Sequence, residues 1–218
     1  MHQTIDTIVW DWNGTLLDDT NICLEGINLL LKRRDLPVLE LSRYRQIFTF
    51  PVRSYYEAAG FDFSREAFEI PAGEFIAEYG RLLSQAKLFP DVPKVLTHFR
   101  KNNYRQFILS AMEQGSLEDS VRDRGILPYF ERVAGISDHL AYSKLKRGQE
   151  MFMENRIDAA STILVGDTLH DLEVAVGLNT GIALVGRGHQ HHDRLQGKGY
   201  PVLDNLLELK KYLSGQHF

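Results

Sequence analysis

Only one cysteine, Cys23, stands among the 218 residues, so no internal disulfide framework is available and the chain suits a reducing compartment. Long apolar runs are missing too. None approaches the ~18 residues of a membrane span, and the opening Met1-His2-Gln3-Thr4-Ile5-Asp6 has neither the basic nor the apolar stretch of a signal peptide. The expectation is a cytoplasmic protein that does not act in a membrane. Positive charge is scarce and scattered: the formal net charge is −4, and the densest basic cluster is Lys32-Arg33-Arg34. Nucleic acid is therefore not an expected partner, because phosphate-backbone binding needs clustered Lys and Arg. No internal repeat or low-complexity segment occurs. What remains is an ordinary globular composition, 44% hydrophobic, in a length that accommodates one full domain and a smaller insertion.

Three short apolar runs end in groups that carry chemistry. Ile8-Val9-Trp10 stops at Asp11-Trp12-Asn13-Gly14-Thr15; Phe107-Ile108-Leu109 stops at Ser110; Thr162-Ile163-Leu164-Val165 stops at Gly166-Asp167, with Asp171 four residues on. Runs this short and this apolar predict strands covered on both faces, as in parallel sheets, whose ligands bind outside the carboxyl ends of the strands. Taken singly, each terminus also reads as a turn or a helix cap, since Asp, Asn, Ser and Gly favour both.

Between the first run and the others the pattern turns helical. Ile22, Leu24, Ile27, Leu30 and Leu31 recur near helical spacing up to about Arg34. Further helices are predicted over Leu39 to Phe50, from Phe50 to about Gly60, and from Ser64 to Ala86, the last broken around Pro71-Ala72-Gly73. After Phe89-Pro90-Asp91, strand and helix alternate to the C-terminus: helices over 91–102, 115–124, 144–155, 169–176 and 206–213, strands over 105–109, 132–136, 162–165 and 181–185. Such alternation predicts an α/β fold with a doubly wound parallel, Rossmann-like sheet. The expected division is an α/β core of residues 1–18 and 87–218 with an all-α segment, 19–86, inserted in it.

An Asp at one strand end, a Ser at a second, a Lys opening a helix and a Gly-Asp-x-x-x-Asp at a third form a set for phosphoryl transfer. In kind and order it resembles the haloacid dehalogenase-like superfamily of aspartate-nucleophile phosphatases, and within it the phosphoglycolate phosphatase-like members with a helical cap. The resemblance spans nearly the whole chain. It implies a phosphoric monoester hydrolase in which Asp11 is the nucleophile, and Mg²⁺ is held by Asp11, the backbone carbonyl of Asn13, Asp167 and Asp171. Ser110, the amide of Ala111 and Lys144 would bind the phosphate. Lys146 is the rival for the lysine's part; Lys144 lies nearer the start of its helix. The substrate implied is a small phosphorylated metabolite, and the protein a monomer or homodimer.

One position departs from the family pattern. Asp-x-Asp-Gly-Thr reads here Asp11-Trp12-Asn13-Gly14-Thr15, and a carboxamide cannot serve as acid or base, a contribution typically worth ~10² to 10⁴ in rate. The alternative is therefore an impaired member that binds a phosphorylated ligand or partner without turning it over. Dehalogenases carry Tyr in place of Asn13, and phosphonate hydrolases carry Ala with a cap lysine, for which only Lys32 is available. In the cap, Arg53, Tyr55 and Tyr56 follow the Phe50-Pro51 break, where a helix N-terminus faces the site; Arg53, Arg45 and Tyr55 are candidates for substrate binding, the arginines for an anionic group, with a solvated arginine and core tyrosines as the alternatives. The loop Gly188-His189-Gln190-His191-His192-Asp193 is expected to be solvated, because its histidines lack the spacing of a closed metal site.

Overall fold

The computed structural model describes residues 4–137, 143–197 and 199–215. Its centre is a six-stranded parallel sheet built from β1 (Thr7–Trp10), β4 (Arg105–Glu113), β5 (Arg132–Ile136), β6 (Thr162–Gly166), β7 (Gly181–Val185) and β8 (Val202–Leu203), in the order β5-β4-β1-β6-β7-β8. The short apolar runs are strands because both of their faces are covered. Ile8, Trp10, Ile108, Ile163 and Val165 point into one cluster, joined by Val92, Val95 and Phe99 of α5 (Val92–Lys101), Leu117 of α6 (Gln114–Asp123) and Leu209 of α10 (Leu206–Leu213). Val9, Phe107, Leu109 and Leu164 point into the other, against Met151 of α7 (Ser143–Asn155) and Val174, Ala175 and Leu178 of α8 (Leu169–Leu178). Alternate residues thus serve opposite layers, and a continuous apolar run replaces the apolar-polar alternation of a half-exposed sheet.

From β1 the chain fills one side of the sheet with β4 and β5, then returns past β1 to place β6, β7 and β8 on the other. That reversal leaves a crevice beyond the carboxyl end of β1, flanked by the ends of β4 and β6. Asp11, Ser110 and Asp167 all lie there.

The helical segment leaves and re-enters through a two-residue antiparallel ribbon, β2 (Leu17–Asp18) with β3 (Lys87–Leu88), in which Leu17 faces Leu88. Between them stand α1 (Thr20–Lys32), α2 (Leu41–Ile47), α3 (Val52–Ala59) and α4 (Glu69–Leu82), packed on a cluster of their own that includes Ile27, Leu30, Tyr44, Tyr56 and Phe61. Arg34, just past the end of α1, ties it to α4 and to the segment before α4: its guanidinium donates to Glu74 and Glu66. No helix among the described residues is long and apolar enough to cross a membrane.

Three details differ from the sequence reading. The helix expected over Ser64 to Ala86 begins at Glu69 and runs unbroken through Pro71 and Gly73. Pro71 is its third residue, where the amide has no intrahelical acceptor to lose. Strand β4 extends past Leu109 to Glu113, and its register with β5 shifts between those residues, so that the chain bulges where Ser110 sits. The ribbon, β8 and the single-turn α9 (His192–Leu195) were not foreseen, since elements this short carry no readable period.

Candidate active site

A cavity of about 290 Å³ opens between the strand ends and the inner faces of α1 to α4. Asp11 stands on its floor as the first residue after β1, its amide donating to Val165 of the neighbouring strand at 2.8 Å. From the far side of the sheet Lys144, in the first turn of α7, extends its ammonium to within 2.6 Å of Asp11 Oδ1 and 2.6 Å of Asp171 Oδ1. Lys144 is 2% exposed, whereas Lys146, one helical step away, faces solvent. The structure therefore brings Lys144, and not Lys146, to the cavity.

Asp167 follows β6, and its side chain lies beside Asp11: the Thr15 hydroxyl is 3.2 Å from Asp11 Oδ2 and 3.4 Å from Asp167 Oδ1. Asp171 opens α8, closing a capping box with Thr168 and accepting from the Asp167 and Thr168 amides through Oδ2, while its Oδ1 faces Lys144. One carboxylate thus does both things the sequence allowed, capping a helix and charging the site. Ser110 Oγ accepts from the Met112 amide at 3.1 Å and donates to Asn13 Oδ1 at 3.4 Å. Ala111 is next to it on the bulge and also lines the cavity.

Asp11, Asp167 and Asp171 each offer an oxygen within 4.8 Å of the others. Like charges at that distance repel by about 3 kcal/mol per pair at an effective dielectric of about 20. Burial pushes Asp11 up to about 6 although Lys144 opposes it. Burial, reinforced by Asp11 and Asp171, pushes Asp167 up to about 8 against the pull of His189. Asp171 is also buried, yet Lys144 and the Thr168 hydroxyl hold it below the usual carboxylate range. Three acids against one ammonium leave a net deficit of two positive charges, and the donors are all oxygen. Those are the properties of a site that fits a hard divalent cation.

The second shell was not legible in the sequence. His189, expected on a solvated loop, is 4% exposed: its amide donates to Asp167 Oδ2 at 2.5 Å, and its ring lies between Asp19 Oδ1 at 3.2 Å and the Tyr44 hydroxyl at 2.7 Å. Gln190 is buried as well, accepting from the Leu169 amide and donating to the Phe48 carbonyl. The loop turns inward because its backbone is needed against Asp167. Gly14, at a φ of 72°, and Gly188 both leave so little room that a Cβ on either would collide with that carboxylate. Burial would lower His189, but Asp19 beside it raises it to about 9, so at neutral pH it is a cation paired with a buried anion. Asp19 is fully buried and also accepts from Gly14, Asn13 and the Tyr79 hydroxyl.

Two of the cap candidates lie elsewhere. Arg53 is on the outer face of α3, paired with Glu57 and stacked over Phe63, with 53% of its side chain exposed. Arg45 donates to the carbonyls of Gly188 and Arg187, so its charge fastens α2 to the His189 loop. Neither lines the cavity. Tyr55 and Tyr56 do, as buried rings packed edge-on, and the Tyr55 hydroxyl has no hydrogen-bond partner among the described residues.

With Asp11, Ser110, Lys144 and the Asp167-Asp171 pair gathered at one sheet edge, the sequence profile of the haloacid dehalogenase-like hydrolases matches residues 8–185. The chain belongs to that family. It is 26% identical over 215 residues, 94% of this chain and 95% of the relative, to an N-acetylmuramic acid 6-phosphate phosphatase of Pseudomonas putida. A phosphoglycolate phosphatase of Xanthomonas campestris is 32% identical over 90 residues, 41% of each chain. A haloacid dehalogenase-like family hydrolase from Streptococcus pneumoniae shares the fold, with a TM-score of 0.84 at 18% identity over 95% of this chain and 98% of that one. Membership accounts for the topology and for the four segments that converge on the crevice. Around Asn13, the Asp19 carboxylate gathers Asn13, Tyr79 and His189 by hydrogen bonds.

Proposed function

We propose that the protein is a Mg²⁺-dependent phosphatase that hydrolyses a small phosphomonoester through an aspartyl-phosphate on Asp11. The observation that carries this reading is the position of Lys144, 2.6 Å from both Asp11 and Asp171 at the bottom of a cavity where Asp167 and Ser110 also converge. Asp11, the Asn13 carbonyl, Asp167 and Asp171 would hold the cation, which when bound supplies the positive charge that lets an anion approach a phosphate dianion. The helices of residues 19–86 act as the cap over the core of residues 1–18 and 87–218. The names of the relatives, phosphatases of phosphorylated small molecules, support the same substrate class.

Asp11 Oδ2 attacks phosphorus, one P–O bond forms to the carboxylate and the ester P–O bond breaks, so that the alcohol leaves as an alkoxide that takes its proton from solvent water. Lys144 keeps Asp11 ionised while free and offers its remaining proton to a phosphoryl oxygen. Ser110, whose oxygen already accepts from Met112, would turn its one proton from Asn13 Oδ1, 3.4 Å away, to another, beside the Ala111 amide. Water then attacks the phosphorus of the acyl phosphate, the bond to Asp11 breaks, and inorganic phosphate leaves. Thr15 keeps the nucleophile turned toward the cavity.

A second reading, slow turnover with long-lived binding, is favoured by one observation: the Asn13 side chain is held by Asp19 and Tyr79 and brings no titratable proton to the leaving group. The test for both is turnover of acetyl phosphate and an alkyl phosphate by the wild type and Asp11→Asn, with Mg²⁺ or EDTA, together with trapping of the phosphoenzyme. Turnover that survives EDTA and Asp11→Asn together sinks the assignment.

A further inference from the structure

We propose that the cavity selects phosphomonoesters whose alcohol portion is uncharged and largely apolar, and discriminates against those carrying a carboxylate. The inference rests on the phosphatase reading above and specifies its substrate. Beyond the phosphate end, the wall is made by Phe48 of the α2–α3 connection, Phe50, Val52, Phe75, Ile76 and Met112. Phe50 stacks on His170 with ring centroids 4.5 Å apart, and Phe48 stacks on His189 at 4.9 Å, so both imidazoles are covered by rings on the cavity side.

The described residues that line the cavity offer no free cation to a second anion. Among the described residues that line the cavity, the positive groups are Lys144, committed to Asp11 and Asp171, and His189, committed to Asp19. None of the cap arginines lines the cavity, and three are held elsewhere: Arg34 by Glu66 and Glu74, Arg45 by two carbonyls, Arg53 by Glu57. Glu113 at the rim adds negative charge instead. A carboxylate brought into such walls loses its hydration and gains no partner, whereas an apolar group is favoured by the water it leaves. Sites built this way fix one end of a ligand by a few polar groups and select the rest by shape and apolar contact.

The experiment compares substrates with the same primary-alkoxide leaving group, so that the missing acid at Asn13 affects all alike: ethyl phosphate, 2-phenylethyl phosphate and 2-phosphoglycolate, on the full-length, Mg²⁺-supplied protein. The expected order of kcat/KM is 2-phenylethyl above ethyl by at least ~10-fold, with 2-phosphoglycolate lowest. Calorimetric dissociation constants for the same three compounds should fall in the same order whether or not turnover is fast. Ile76→Arg, on a half-exposed position of the wall, should shift the preference toward 2-phosphoglycolate by ~10-fold. If 2-phosphoglycolate is bound or turned over as well as 2-phenylethyl phosphate, the proposal is wrong while the phosphatase reading stands. If acetyl phosphate is not hydrolysed, the phosphatase reading fails, and the binding order alone then decides the selectivity of the cavity.

Discussion

The side-chain amide of Asn13 donates to Asp19 Oδ2 at 2.8 Å, with the Tyr79 hydroxyl 2.7 Å from the same nitrogen and itself donating to Asp19. The position that departs from the family pattern is thus clamped from behind by a buried acid six residues further along. Asn13→Asp would set two carboxylates against each other, so that one proton is shared and the new acid stays protonated to higher pH. A protonated acid is what an alkoxide leaving group needs. The wild type should show a phosphoenzyme burst, and Asn13→Asp should remove it, raise alkyl phosphate turnover by ~10 to 10³-fold and affect acetyl phosphate far less. Steady-state and rapid-quench kinetics check it; no gain on the alkyl substrate would mean that another group already supplies the proton.

Asp19 and His189 form a buried ion pair, 3.2 Å apart. Removing one partner strands the other, and Asp19→Asn should lower stability by ~3 kcal/mol in metal-free buffer at pH 6. Because the folded protein raises His189 to about 9, the stability it contributes is full below its unfolded value near 6.5 and is lost as pH rises through about 9. The gap between wild type and Asp19→Asn in urea unfolding should therefore narrow between pH 7 and pH 10. A gap that stays constant over that range argues that His189 is not the charged partner.

Cation binding should release protons. Asp11 and Asp167 are held up to about 6 and about 8 by burial, and both must be ionised to act as ligands. Mg²⁺ affinity should accordingly rise from pH 5.5 to pH 8.5, most steeply near and below about pH 6, where both acids are protonated, and level off above about 8. Calorimetry at one pH in two buffers of different ionisation enthalpy counts the protons. Equal heats in the two buffers and a pH-independent affinity would exclude these carboxylates as the ligand set.

Arg53→Ala and Arg45→Ala should separate. Arg53 makes an exposed i,i+4 pair, so its loss should change stability by no more than ~0.5 kcal/mol and leave KM unaltered for every substrate. Arg45 tethers the Arg187 and Gly188 carbonyls, and the next amide, from His189, reaches Asp167. Its loss should weaken Mg²⁺ binding and activity on all substrates alike, as read by cation titration of each variant.

Tyr55→Phe should be neutral or slightly stabilising, because it deletes a buried hydroxyl that has no hydrogen-bond partner among the described residues. Thermal melts of the two proteins decide this directly. A loss above ~1 kcal/mol would mean that the hydroxyl is satisfied in solution.

The sequence by itself determined the parts whose signal is local. Both faces of Ile8–Trp10 and Ile163–Val165 had to be covered, since both runs are apolar, and a parallel sheet followed; the residue that ends each run then fell at its reactive edge. The helical insertion was equally legible, because thirteen residues of α1 repeat one apolar face. What only the tertiary structure decided is how far-separated side chains share charge. Nothing in a polar, histidine-rich loop announces that His189 turns inward, because the reason lies in Asp19 and Asp167, 170 and 22 residues away along the chain. Nor does a cap arginine carry any mark of its direction. Arg45 and Arg53 were candidates for a substrate anion by charge and position, but the helix faces that α2 and α3 present to their neighbours turn both away from the cavity and leave its walls aromatic. Strand and helix periods are set by neighbours along the backbone, whereas the pairing of buried charges is set by which surfaces meet, and that is a property of the folded chain alone.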